Sequence, residues 1–207
     1  MSLSTTSVSV AFLVLICGSA AAACSSSSPA STPTTGGSDI SVFPTKVFVG
    51  VDETGKALGS APVSLTGGGA TATWTSANTA TATATGNTTN GKIVGVKAGS
   101  STVTVKSGTK SATIAVTVEV YPAADVTAGT TEYTTGKCDD CHGASGTDIT
   151  PSDLGKHSDD QILGAVLDGM NPEGGAIEGM HKFTATKAIV AYLRSLPARN
   201  DTPVDDK

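Results

Sequence analysis

The segment ATIAVTVEV, Ala112 to Val120, sends Ile114, Val116, Val118 and Val120 to one face and Thr113, Ala115, Thr117 and Glu119 to the other. A two-residue period of this kind belongs to a half-buried strand. Shorter runs of similar character precede it at TKVFVGV, TATWTS, KIVGVKAG and STVTVKS, separated by turn residues such as Asn90-Gly91 and Ser107-Gly108. Several short strands joined by regular turns imply two stacked sheets, a β-sandwich. Beyond Pro122 the period changes to that of helices and loops, and a slight basic excess gives way to a marked acidic one within an overall charge of -5. The break in composition and charge predicts two domains. No basic patch forms along the chain, so no nucleic-acid partner is expected.

The N-terminal segment narrows the compartment. Residues 1–23 carry no charged side chain, and Val8 to Ile16 form an apolar run too short to span a bilayer as a helix. Small residues then lead to Cys24, the pattern of an export signal with a processing site. The stretch resembles a bacterial lipoprotein signal. That resemblance implies a lipid anchor on Cys24, attachment to a membrane, and a place in the bacterial cell envelope, with Ser25 pointing to an outer membrane facing the periplasm or the exterior. Residues 24–39, rich in Ser, Thr and Pro, contain no large apolar side chain before Ile40 and form a flexible tether with a reach of about 20 Å. Residues 201–207 read as a disordered tail.

Export removes Cys17 and places Cys24 at the extreme terminus, so two of the four cysteines remain in the folded part. Both lie in GKCDDCHG, as Cys138 and Cys141, with His142 next to them. A disulfide between them would close a loop so short that it restrains little of the unfolded chain. Zinc would need these two thiols and two of His142, His157 and His181 to converge, in a spacing that matches no common zinc module. A thiol-disulfide site would need a strand before the motif, and none is apparent. Covalent haem attachment uses all three residues. The two sulfurs form thioethers with the macrocycle, and the spacing delivers the histidine as axial ligand.

The flanking residues predict helices. AGTTEY places Gly129 and Tyr133 on one helix face, in a Thr-rich context that makes the helix intrinsically weak. SDDQILGAVLDGM carries the capping pair Ser158 and Gln161 and an apolar stripe of Ile162, Leu163, Val166, Leu167 and Met170. The last helix has Thr184 as its expected N-cap and Ile189, Tyr192, Leu193 and Leu196 at helical spacing, stopped before Pro197. Met170 reads as packing and His157 as a loop or surface residue.

Two further resemblances follow from these residues. VFVGVDETGKALG, TATWTSANTATATATG, GKIVGVKAGSSTVTV and ATIAVTV resemble the bacterial immunoglobulin-like group 2 family over residues 40–121. This implies that Trp74 is a buried core aromatic and that Gly95 and Gly99 serve tight turns. AGTTEYTTGKCDDCHG, HSDDQILGAVLDGM and GMHKFTATKAIVAYLRSLP resemble class I c-type cytochromes, within a domain expected over residues 122–200. That resemblance implies a crossing of the first and last helices at Gly129, Tyr133 and Tyr192. It also implies one covalently attached haem c with His142 and Met180 as axial ligands. The usual Met-Pro pair reads Met180-His181 here, which leaves His181 as an alternative sixth ligand.

The expected fold is therefore multidomain, an all-β immunoglobulin-like sandwich followed by an all-α cytochrome c domain. The expected function is a membrane-tethered monohaem electron carrier. It is not an enzyme, and its redox partner proteins would meet its acidic surface with a basic docking face. The alternatives are a haem peroxidase or gas sensor with an open sixth position, and an envelope-binding immunoglobulin-like protein with a Cys/His metal or redox module.

Overall fold

The computed structural model describes residues 39–143, 149, 151–172, 174–177, 180 and 182–196. The expected signal, Cys24, nearly all of the tether, His181 and the tail lie outside the described residues. The described residues belong to one compact unit.

Strands run in the order β1 (Ser41–Phe43), β2 (Lys46–Val51), β3 (Ala61–Thr66), β4 (Thr73–Ser76), β5 (Ala82–Gly86), β6 (Asn90–Gly95), β7 (Gly99–Ser107) and β8 (Lys110–Val120). They form two four-stranded sheets, β1-β3-β6-β5 and β2-β8-β7-β4. β2 and β8 pair in parallel, and β7 and β8 pair as a long antiparallel hairpin. The alternation seen in the sequence sorts each strand into an inward and an outward row. Val47, Val49 and Val51 of β2, Val103 and Val105 of β7, and Ile114, Val116 and Val118 of β8 are all buried in one core with Val63 and Ile93 from the other sheet. Each such side chain contributes about 1.5–3 kcal/mol by leaving water.

The alternation fails at one end. Val120 belongs to the inward row of β8 by parity, yet it is 42% exposed. The chain leaves the sheet there, and Tyr121 takes the buried place. Its amide donates to the Val51 carbonyl at 2.8 Å, and its ring lies so close to Gly50 that a Cβ there would stand 2.7 Å from it.

Trp74 lies against the core but is only partly buried. Its indole N–H donates to the Asn87 carbonyl at 3.0 Å. The ring rests on bare backbone, since a Cβ at Gly86 or Gly91 would come within 2.5 Å or 2.4 Å of it. Gly95 does not serve a turn as expected. It lies in β6, where a Cβ would meet Val118 at 2.9 Å, so the two sheets need its bareness to approach. Gly99 opens β7 with a φ of +140°.

The helices are α1 (Ala123–Thr135), α2 (Asp139–His142), α3 (Pro151–Leu154), α4 (Asp159–Asp168) and α5 (Lys187–Ser195). In α1 the hydroxyls of Thr127, Thr130, Thr131 and Thr134 each donate to the carbonyl four residues earlier. Such bonds compete with the helix ladder, so α1 relies on packing. That packing is the crossing with α5. A Cβ on Gly129 would stand 1.9 Å from the Ala188 carbonyl oxygen, and the Tyr133 and Tyr192 rings sit 4.9 Å apart. α4 begins with the expected capping box of Ser158 and Gln161. α5 begins two residues later than expected, with Thr186 as N-cap. Glu132 of α1 decides this, because its carboxylate accepts from the Thr186 amide at 3.0 Å and from its hydroxyl at 2.5 Å.

The helices close over the β2 edge of the sandwich. The Phe48 amide donates to the Gly155 carbonyl at 2.8 Å. Arg194 of α5 is 6% exposed. Its guanidinium donates to the carbonyls of Leu154 and His157 at 2.6 Å each and of Phe48 at 3.3 Å, and it pairs with Asp159 at 3.0 Å. The Tyr121 hydroxyl lies 2.8 Å and 2.7 Å from the two Asp159 oxygens. Burial pushes the Tyr121 phenol well above its ordinary pKa. His157, read from the sequence as a surface residue, is buried at this junction.

The expected fold class is corrected by these contacts. The described chain is dominated by its two sheets, its helices are few, and the longest has 13 residues. They do not stand apart as an all-α cytochrome c domain. A buried cation and the β2 backbone join them to the sandwich.

Two substitutions test this packing. Gly129→Ala should destabilise the helices by about 1–3 kcal/mol through overpacking, read as a lower urea midpoint of the helical circular-dichroism signal. Gly91→Ala should displace the ring of the single tryptophan, read as a red shift in its fluorescence.

Candidate functional site

The Cys-x-x-Cys-His segment is one turn of helix held at both ends by Tyr133. α1 stops at Gly136, and Lys137 takes a φ of +56°, which turns the chain sharply. The Cys138 amide then donates to the Tyr133 carbonyl at 3.0 Å. The turn continues as the Cys141 and His142 amides donate to the Cys138 carbonyl at 3.3 Å and 2.8 Å. At its far end the Tyr133 hydroxyl donates to the Gly143 carbonyl at 2.9 Å. Cys138 and Cys141, three apart on one turn, therefore share a face. Neither is in a disulfide.

That turn forms one wall of a cleft enclosing about 740 Å³, part of it open to solvent. Cys138, Cys141, His142 and Met180 all line it, so the structure gathers four of the candidate residues into one site. The other walls are apolar, with Val166 from α4, Ile189 and Leu193 from α5, and Ile149, Ile177 and Phe183 from the connections. Met170 does not pack as expected. It is 45% exposed and forms an isolated bridge with Ala176. His181 lies outside the described residues, as does the lipidation candidate Cys24.

Burial is the main cause that raises the Cys138 thiol above its ordinary pKa, because an apolar wall disfavours the thiolate; the nearby Asp139 carboxylate adds to it. Among the described residues, no group of three or more His, Cys, Asp or Glu side chains could hold a metal ion. Cys138, Cys141 and His142 line a broad cleft and do not converge on a point as zinc ligands must.

The chain matches no protein-family model and no curated protein. Among solved structures it is similar to parts of the S-layer protein SbsC. A crystal structure of domains 4 and 5 shares 32% identity with a TM-score of 0.31, over 39% of this chain and 51% of that one. A structure of domains 5-6 shares 31% with a TM-score of 0.32, over 40% of this chain and 43% of that one. A longer crystal structure shares 28% with a TM-score of 0.32, over 40% of this chain and 13% of that one. TM-scores this low do not by themselves assign a function.

The monohaem electron carrier expected from the sequence is corrected at this point. The similar solved structures named above are S-layer domains, and among the described residues no group of three or more His, Cys, Asp or Glu side chains could hold a metal ion. The comparisons offer no support for describing the chain as an electron-transfer, iron, haem or cytochrome protein.

With both thiols free, Cys141 should alkylate faster than Cys138 at mildly alkaline pH. It is the more exposed of the two, and the raised pKa of Cys138 leaves less thiolate there. Peptide mass spectrometry after brief iodoacetamide treatment reads the difference, and equal rates would show that the cleft does not bury Cys138.

Proposed function

We propose that the protein works in the bacterial cell envelope as a non-enzymatic binding protein: the β-sandwich engages envelope material, and the helical segment is a Cys/His module fixed to it. The observation that carries the reading is the joint at Arg194, which makes the module and the sandwich one body and not a carrier swinging on a linker. The reading is supported by the sequence pattern of an export signal before Cys24 and a Ser/Thr/Pro-rich tether before Ile40, and in this reading Cys24 is the point of lipid attachment at an outer membrane. Among the described residues no helix is long and apolar enough to cross a membrane.

For the cleft we propose one covalently attached haem c, in a segment akin to class I c-type cytochromes. The proposal rests on the chemistry of the donors. The two unbonded thiols share one face of a helical turn, and a flat apolar group matches the apolar walls. Attachment through sulfur to the edge of a macrocycle needs no convergence of three ligands on a point. Cys138 and Cys141 would hold the group by thioethers, and His142 and Met180 would supply donors to its iron. When bound, such a group supplies reversible one-electron chemistry. The chain's own part is to exclude water with Val166, Phe183, Ile189 and Leu193, and to keep His142 in place through the Tyr133 clamp on the turn.

Two measurements separate the parts of this proposal. Full-length protein made with haem-maturation machinery should be heavier than the polypeptide by one haem and keep its colour after denaturation and acid-acetone extraction; the bare polypeptide mass with two titratable thiols would refute the cofactor. The same protein should co-sediment with purified cell-wall or surface-layer material, and recovery only in the supernatant would refute the envelope-binding role.

A further inference from the structure

Arg194 stands between two features that have so far been described separately. Leu193, its neighbour on α5, lines the cofactor cleft and also a small cavity at the joint with the sandwich, beside Phe48, Gly59 and Leu154. One residue thus borders both spaces. The partners of Arg194 extend the link. Asp159 opens α4, the helix that carries Val166 onto the cleft, while the Phe48 carbonyl belongs to β2. The Leu154 and His157 carbonyls fix the segment leading into α4. The guanidinium therefore ties two cleft walls, α4 and α5, to the sandwich edge.

We propose that Arg194 is a positioning residue for the cleft, so that the sandwich serves as the template on which the α4 and α5 walls are held at the right separation. The helices bring little of their own to this task. α1 is weakened by its threonines, and the apolar cluster of the helical segment is small. A lysine at this position would keep the charge but lose the planar fork that reaches Asp159 and three carbonyls at once. Linkage then requires reciprocity, with a group bound in the cleft tightening the joint by the free energy that the intact joint adds to its binding. The inference concerns the shape of the cleft and holds for any apolar occupant.

The test uses full-length protein with the cleft unfilled, comparing wild type with Arg194→Lys and Tyr121→Phe. Tyr121→Phe removes the hydroxyl that braces Asp159 and leaves every cleft residue unchanged. Amide hydrogen exchange is read separately for α4, α5 and the β7–β8 hairpin, and anilinonaphthalene sulfonate is the probe of the cleft. In Arg194→Lys, exchange in α4 and α5 should quicken about tenfold or more while β7–β8 is unchanged. Probe fluorescence should rise as the walls part. Tyr121→Phe should act in the same direction by less. Unchanged exchange in α4 and α5, or equal acceleration in the hairpin, would overturn the proposal, because the first shows that the walls stand without the joint and the second that Arg194 merely stabilises the whole chain. If Arg194→Lys does not fold, Tyr121→Phe decides between the same outcomes.

Discussion

The rest of the structure depends on the buried guanidinium of Arg194. Removing such a cation from water costs several kcal/mol, which is offset only when geometry is good and the remaining donors find partners. Here they do, since Asp159 supplies the opposite charge and carbonyls of Phe48, Leu154 and His157 take the other N–H groups. Those acceptors come from β2 and from the short stretch between Leu154 and Asp159, which are far apart in sequence, so one side chain on α5 sets the mutual placement of three segments. The contact also answers a problem of the sandwich. β2 is an edge strand, and its Phe48 amide and carbonyl are both satisfied by the helical segment. An edge covered in this way is not open to pairing with another chain.

The second constraint is closeness. Gly129 lets α1 and α5 cross with the Ala188 carbonyl nearly touching the α1 backbone, and that approach brings Tyr133 against Tyr192. Tyr133 then does two further things. Its carbonyl receives the start of the Cys138–His142 turn, and its hydroxyl holds the end. The cleft is thus a consequence of a helix crossing. The turn that bears the thiols lines one side of it, and α4, α5 and Ile149, Ile177 and Phe183 of the connections line the others.

How much of this was legible in the sequence varied with the kind of interaction. The inward rows of β7 and β8 followed from alternation, because parity in a strand is a local property. The capping box at Ser158 and Gln161 was equally local and equally visible. Val120 obeyed the same parity and is exposed all the same, because where a strand stops being covered depends on what the chain does next. Trp74 was expected to be buried, yet it is half-covered and rests on the bare backbone of Gly86 and Gly91 from another hairpin. Thr184 was the expected cap, yet Thr186 takes the place, held by Glu132 more than fifty residues away. His157 reads as a surface residue and is buried at the junction where Arg194 donates to its carbonyl.

By itself, then, the sequence determined the sandwich, the positions of the main helices, and the grouping of two thiols and an imidazole on one short turn. These rest on periods and spacings of a few residues, which covalent geometry dictates. Tertiary structure alone decided that the helical segment is welded to the sandwich, that Met180 and the Cys138–His142 turn share one apolar cleft, and that Leu193 borders both this cleft and the joint. Each of those outcomes needs groups distant in sequence to compete for the same space or the same hydrogen-bond partner, and no local pattern records who wins.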